Sequence, residues 1–284
     1  MSTMMLDDIV TRIGRLSHLP TTVLRLVGIV SDPSSSLAQI VETIRYDQAI
    51  TADVLRLCNS AYFGLVRKVE SLDDAVRLLG TVKILQLVMA AHTRALLSRP
   101  QEGYGLAAGA LWRHSVGVAL GAQLLARPMR LTQLGLLFTA GLLHDIGKVA
   151  LNEFVAQEYA EIARRVAEEQ VSFAEAEAAV LGFTHPQVGG RLAELWNLPE
   201  SIVLAVRYHH DPETATGEQA LVDATHLADA VCLLMGVGGG DDGLSYRACP
   251  AVLARHNLTE PDLELIGADV IAELRAVQAL FESY

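Results

Sequence analysis

Seven side chains have the types and spacing to hold metal ions: His114, His144, Asp145, His185, His209, His210 and Asp229. His144 and Asp145 are adjacent, inside Gly141-Leu-Leu-His-Asp-Ile-Gly-Lys148. Imidazole and carboxylate are ligands that suit Zn, Fe or Mn. Together they leave a divalent ion with residual positive charge, so a water on it becomes hydroxide near neutral pH. Two ions about 3.5–4 Å apart can share that hydroxide and clamp a phosphate. Seven ligands exceed what one ion with an open position needs, and they suit two. Asp145 is then a candidate catalytic group as well as a ligand. Lys148 is spaced to neutralise a phosphate oxygen or to hydrogen-bond a bridging water.

Each residue also has an ordinary structural reading. His144 and Asp145 can cap a helix end, with Gly147 consistent with a turn there. Lys148 can be a surface cation. His185 precedes Pro186 and fits the start of a helix. Of His209 and His210, one can point at the site while the other packs or faces solvent. Asp229 lies three residues after His226 on one helical face, among Leu227, Ala228, Val231 and Leu233–Met235. A carboxylate buried there needs a partner, which a metal would supply. His226 has the spacing to support it but reads as a helix-surface residue. Arg113 can bind an anion or sit in a salt bridge. Tyr62-Phe63-Gly64 reads as a loop whose aromatics are core or a partner contact. His18, His92 and His256 match no motif.

The elements that must position these residues read as helices throughout. Pro20 opens the first. Ser34-Ser-Ser36 caps a second through Leu37, Ile40, Val41 and Ile44, and Asp47 a third. Ser71 with Asp74 marks the start of Ala75–Leu79, Gly80 suits its end, and Thr81 begins a long apolar helix to about Leu97. Ser98–Gly105 is a loop or joint. Helices are then expected over Leu106–Ala126, Thr132–Leu143, Leu151–Glu169, Ser172–Leu181, His185–Trp196, Pro199–His210, Ala220–Met235, Pro250–His256 and Glu260–Phe281. Gly236–Gly243 is a flexible loop, and its glycines do not follow a strand as a phosphate-binding turn would. No stretch alternates as a strand does.

The chain has 284 residues, 51% of them hydrophobic and only 5% aromatic, so Leu, Val, Ile and Ala must fill the core. Its net charge of −11 argues against DNA or RNA as a partner, because phosphates need Lys and Arg. The three cysteines show no CxxC spacing and read as free thiols of a reducing cytoplasm. The apolar run Leu134–Leu143 is too short to span a bilayer, and no membrane association is expected.

The pattern His114, His144-Asp145, Asp229 resembles the HD metal-dependent phosphohydrolase superfamily, and the resemblance extends to His185 and His209-His210. In the related HD-GYP cyclic-di-GMP phosphodiesterases, equivalents of these complete a second metal position. This chain lacks the Gly-Tyr-Pro signature, and its His pair is followed instead by Asp211-Pro-Glu-Thr-Ala-Thr-Gly217. Nearly all of its length resembles the HDOD family. The phrases in the first half are Leu19-Pro20, Asp47-Gln-Ala-Ile-Thr-Ala52, Leu55-Arg-Leu-Cys-Asn-Ser-Ala61 and Leu79-Gly80. In the second half they are Leu111-Trp-Arg-His-Ser115, Gly141–Gly147, His185-Pro-Gln-Val-Gly189, Trp196-Asn-Leu-Pro-Glu200 and His209-His210. The resemblance implies an all-α, HD-like multi-helix bundle over residues 101–284, with an additional N-terminal helical subdomain over 1–100. It implies a bacterial-type signalling or regulatory module that acts on a protein partner. A nucleotide is a candidate ligand, and one or two Fe, Mn or Zn ions are candidate cofactors. The alternative is a metal-dependent phosphohydrolase or phosphodiesterase.

Overall fold

A computed structural model describes residues 19–32, 35–65, 67–238 and 246–282. Among these residues there are 13 α-helices and no strand. The first four are α1 (Thr21–Ser31), α2 (Leu37–Arg45), α3 (Gln48–Cys58) and α4 (Leu72–Leu97). After a 3-10 turn at Glu102–Tyr104 come α5 (Ala110–Leu125), α6 (Leu134–Leu143), α7 (Ile146–Glu169), α8 (Phe173–Leu181), α9 (His185–Leu195) and α10 (Glu200–Tyr208). The last three are α11 (Gln219–Leu234), α12 (Pro250–His256) and α13 (Glu260–Glu282).

Local chemistry sets most of these ends. Ser36, Asp47, Ser71, Ser172 and Thr184 each accept a backbone N–H in the first turn of the helix that follows. Gly80 takes φ 76° inside α4 and joins two helical stretches at a kink. Three helix starts differ from expectation by two residues or more. The helix expected from Leu106 begins at Ala110, because Gln101 and Leu106 pair as an isolated antiparallel bridge around the 3-10 turn. The helix expected from Thr132 begins at Leu134. The helix expected from Leu151 begins at Ile146 and runs through Gly147, which is therefore helical rather than a turn. Most of the glycine loop after α11, residues 239–245, lies outside the described residues, as does His18.

α6 is the centre. Nine of its ten residues are buried and none is charged, so it is apolar on every side, as a helix inside a core must be. α1, α4, α5, α10 and α11 pack around it. One hydrophobic cluster runs from Leu19 to Phe281 through both halves of the chain. Two stretches, Leu72–Leu97 and Leu134–Asn152, are long and apolar enough to cross a membrane by length and composition. In the second, 89% of the most apolar window is buried inside the protein, so its hydropathy is accounted for by the core.

α12 is tied to α11 by charge. Asp223 is fully buried; Arg255 Nη1 donates to its two oxygens at 2.7 and 2.6 Å, and the His256 ring donates at 2.7 Å. Replacing Asp223 by Ala is expected to lower stability by about 3 kcal/mol in urea unfolding, the low end for breaking a buried pair, because Arg255 keeps part of its hydration.

Candidate metal centre

His144 and Asp145 occupy the elbow between α6 and α7, at the middle of the molecule. Glycines let other helices close on that elbow. A Cβ on Gly141 would lie 2.7 Å from Ala119 Cα of α5, and one on Gly147 would lie 1.9 Å from the His185 carbonyl oxygen of α9. Gly238, at φ 68°, passes so close to α5 that a Cβ there would lie 2.5 Å from His114 Cβ. α5 thereby brings His114, α9 brings His185 at its first residue, the end of α10 brings His209 and His210, and α11 brings Asp229. All seven residues named from the sequence come together. Their ligand atoms form two groups: Asp145 with His185, His209 and His210, and His114 with His144 and Asp229. Within each group these atoms lie within 4.8 Å of one another.

Asp145 faces both groups. Its Oδ1 is 3.3 Å from His185 Nε2 and 3.7 Å from His209 Nε2. Its Oδ2 is 3.3 Å from His144 Nε2 and 3.7 Å from His114 Nε2. Asp229 Oδ1 lies 3.1 Å from His114 Nε2. Lys148 is buried and places Nζ 2.8 Å from Asp145 Oδ2, so it is an interior ion-pair partner and not a surface cation. Both His210 and His209 point inward, with His210 Nε2 3.1 Å from His185 Nε2.

Hydrogen bonds set the state of four imidazoles. The Nδ1 atoms of His114, His144 and His209 donate to the carbonyls of Val237, Gly141 and Val206 at 2.7–2.8 Å. His185 Nδ1 donates to Glu177 Oε2 at 2.8 Å. In the neutral ring the other nitrogen is then a lone pair. With all four rings neutral these lone pairs face two carboxylates, a convergence of acceptors that only a proton or a cation at Nε2 relieves. His144 Nε2, Asp145 Oδ1, His209 Nε2 and Asp229 Oδ2 are buried without a hydrogen-bond partner. Each such atom costs on the order of 1–3 kcal/mol, and a cation satisfies several at once. The donor set therefore fits a divalent ion.

The electrostatics keep two rings neutral and favour a proton on two others. Burial would lower His144, but Asp145 and then Asp229 lift it above the usual imidazole range. Burial pushes His209 down to about 4 and His210 well below the usual imidazole range, keeping them neutral. Burial alone would raise Asp145, but Lys148 and then His144 hold it well below the usual carboxylate range. Asp229, raised by burial, is brought to about 2 chiefly by the His114 hydrogen bond. Burial disfavours charge on His185, yet Glu177 and Asp145 outweigh it and lift the ring to about 9. A metal ion at Nε2 thus displaces a proton.

Several residues around the site were not legible in advance. Glu177 is fully buried and also accepts the His185 backbone N–H at 2.8 Å and the Tyr104 hydroxyl at 2.7 Å. His226, read as a surface residue, is buried instead: its Nδ1 donates to the His209 carbonyl at 2.7 Å and its Nε2 accepts the Cys249 N–H. The Tyr246 ring lies 4.3 Å from that of His210. Arg113 stands exposed on α5 and lines a groove with Arg94. Tyr62 is 41% exposed, whereas Phe63 packs on the core. A cleft of about 790 Å³ reaches the centre at His210, lined also by Arg207, Tyr246, Arg247 and Cys249.

An all-helical bundle with a His-Asp elbow at its centre defines an HD-type protein. The model of the HDOD domain matches residues 16–212, and the chain belongs to that family. The crystal structure of an HDOD domain protein from Geobacter sulfurreducens superposes with a TM-score of 0.72 at 31% identity, covering 98% of each chain. A protein from Marinobacter aquaeolei VT8 named for signal transduction shares the fold, with a TM-score of 0.78 at 23% identity, over 95% of this chain and 60% of its own. A protein of Treponema pallidum (strain Nichols) is 26% identical over 212 residues, 74% of this chain. The chain spans 40% of the length of that relative.

Proposed function

We propose that this chain is a signalling module that binds divalent transition ions at His114, His144, Asp145, His185, His209, His210 and Asp229 and acts through contacts with a partner protein. One observation carries the metal reading: the Nε2 atoms of four imidazoles and two ionised carboxylates converge in a buried space where most of them have no hydrogen-bond partner. Fe, Mn and Zn all suit that donor set. Asp145 serves both ion positions, and Lys148 holds its carboxylate in place. Support for the signalling role is family membership together with the first half of the chain. There α2 and α4 carry no chemistry but expose Leu37, Tyr46 and Leu78, at 47, 79 and 52%. Exposed apolar and aromatic side chains of this kind suit protein contacts.

A second reading, phosphoester hydrolysis, is favoured by the cleft at His210, whose volume suits a small-molecule ligand. A bound divalent ion would supply Lewis acidity toward a phosphate oxygen. Arg207 and Arg247 line that cleft and offer charge to a phosphate or nucleotide, while His210 connects it to the centre.

The test is elemental analysis of protein purified without a chelating tag, beside His144→Ala/Asp145→Ala. Two transition ions per chain, lost in the variant, are expected. A wild-type protein that holds no metal after anaerobic loading with Fe, Mn or Zn would end the metal reading. Turnover of cyclic dinucleotides or a generic phosphodiester by the loaded protein would replace the signalling reading with the hydrolytic one.

A further inference from the structure

We propose that Glu177, held by Tyr104, is a positioning residue that selectively strengthens one of the two ion positions, the one formed by Asp145, His185, His209 and His210. This rests on the metal reading above. Three of the ligand imidazoles lean on neutral backbone carbonyls through Nδ1. Among the described residues, only His185 has a carboxylate in that role. A carboxylate behind a histidine fixes its tautomer and raises its basicity as a ligand, more than a carbonyl does.

Glu177 constrains His185 twice. A single oxygen, Oε2, accepts both the backbone N–H and the Nδ1–H of that residue, each at 2.8 Å. Main chain and ring are therefore set by one group, at the first residue of α9. The other oxygen, Oε1, accepts the Tyr104 hydroxyl at 2.7 Å. Tyr104 is 3% exposed and is itself wedged against Phe173, with ring centroids 5.0 Å apart. The carboxylate thus accepts three hydrogen bonds while fully buried and has no freedom to turn away. The 3-10 turn that carries Tyr104 is anchored in its turn, because the Gly103 N–H donates to Asn152 Oδ1 at 3.0 Å.

The other ion position, at His114, His144 and Asp229, receives nothing from Glu177. The two positions should respond differently to its replacement. Glu177→Gln keeps the shape and an acceptor but removes the charge. In calorimetric titration of the metal-free full chain with Zn²⁺ and with Mn²⁺, Glu177→Gln should weaken one of two binding steps about 10–100-fold and leave the other unchanged. Tyr104→Phe should weaken the same step by a smaller factor. A general packing defect would weaken both. Nitrogen-15 NMR of the metal-free protein gives a second readout. His185 Nδ1 should carry a proton in the wild type, and its exchange with solvent should be faster in Glu177→Gln.

Two unchanged binding steps together with unchanged exchange at His185 would overturn the proposal. A wild type that binds no metal would remove the reading on which it rests, while the NMR comparison would still decide whether Glu177 fixes the ring. Should Glu177→Gln fail to fold, Tyr104→Phe carries the test, and wild-type affinities at both steps would overturn it.

Discussion

Stripping the protein of metal and adding back a saturating divalent ion is expected to raise the melting temperature by about 10 °C. The argument runs through the buried acceptors. In the native state, Nε2 of His144 and His209 and carboxylate oxygens of Asp145 and Asp229 are buried without a hydrogen-bond partner. In the unfolded chain water satisfies all of them. An ion that binds only the native state stabilises it by about 4 kcal/mol at a thousand times its dissociation constant. For a chain of this size each kcal/mol shifts melting by roughly 2–4 °C. Residual binding by histidines of the unfolded chain would reduce the shift. Asp145→Asn is the control with the largest effect. Asp145 lies within 3.7 Å of two rings in each ligand group, so its replacement should abolish the shift for any ion. Asp229 lies close to His114 and His144 and reaches only His210 of the other group, at 3.6 Å, so Asp229→Asn should leave part of it. Differential scanning calorimetry at fixed ion concentration reads both. An equal shift in wild type and Asp145→Asn would show that the ion binds elsewhere.

The seven residues of the proposed metal centre could be named from sequence because six of them lie in short phrases and Asp229 completes their spaced pattern, and the fold brings them together. Their supporting groups could not. Glu177 sits in the Ala-rich stretch Phe173–Leu181 two residues after Glu175, and nothing in that pattern marks a carboxylate for burial. Glu177 is buried only because Tyr104, 73 positions away, and His185 come to meet it. His226 was misread for the same reason, since the Cys249 N–H that it accepts lies 23 positions on. Helix starts marked by a Ser, Thr or Asp cap were legible, since a cap acts within three residues. The start of α7 was not. Gly147 looks like a helix breaker in isolation, and its use is a close approach to α9, which no local pattern records.

That approach supplies the second large effect. Gly147→Ala is expected to destabilise the protein by at least about 3 kcal/mol and to disable the metal centre, although alanine is the better helix former. Gly147 lies inside α7, where the exchange alone would gain up to about 1 kcal/mol. The added Cβ, however, would sit 1.9 Å from the His185 carbonyl oxygen and 2.9 Å from the Gly189 backbone nitrogen. Those are backbone atoms of the first turns of α9, which no rotamer change can move aside. Either α7 or α9 must shift, and overpacking of this kind costs about 1–3 kcal/mol, with larger values where the backbone resists. The shift acts directly on the 3.3 Å approach of Asp145 Oδ1 to His185 Nε2, since both residues lie within two positions of the contact or in it. Gly28→Ala is the matched comparison. Gly28 is exposed within α1, and a Cβ there meets nothing within 4 Å. It should gain stability by up to about 1 kcal/mol and leave metal binding untouched. Urea unfolding and metal titration of the two variants side by side separate the loss of close approach from any general effect of filling a helical glycine. A Gly147→Ala protein as stable as the wild type, with both ions bound, would show that the α7–α9 contact is looser than the structure has it.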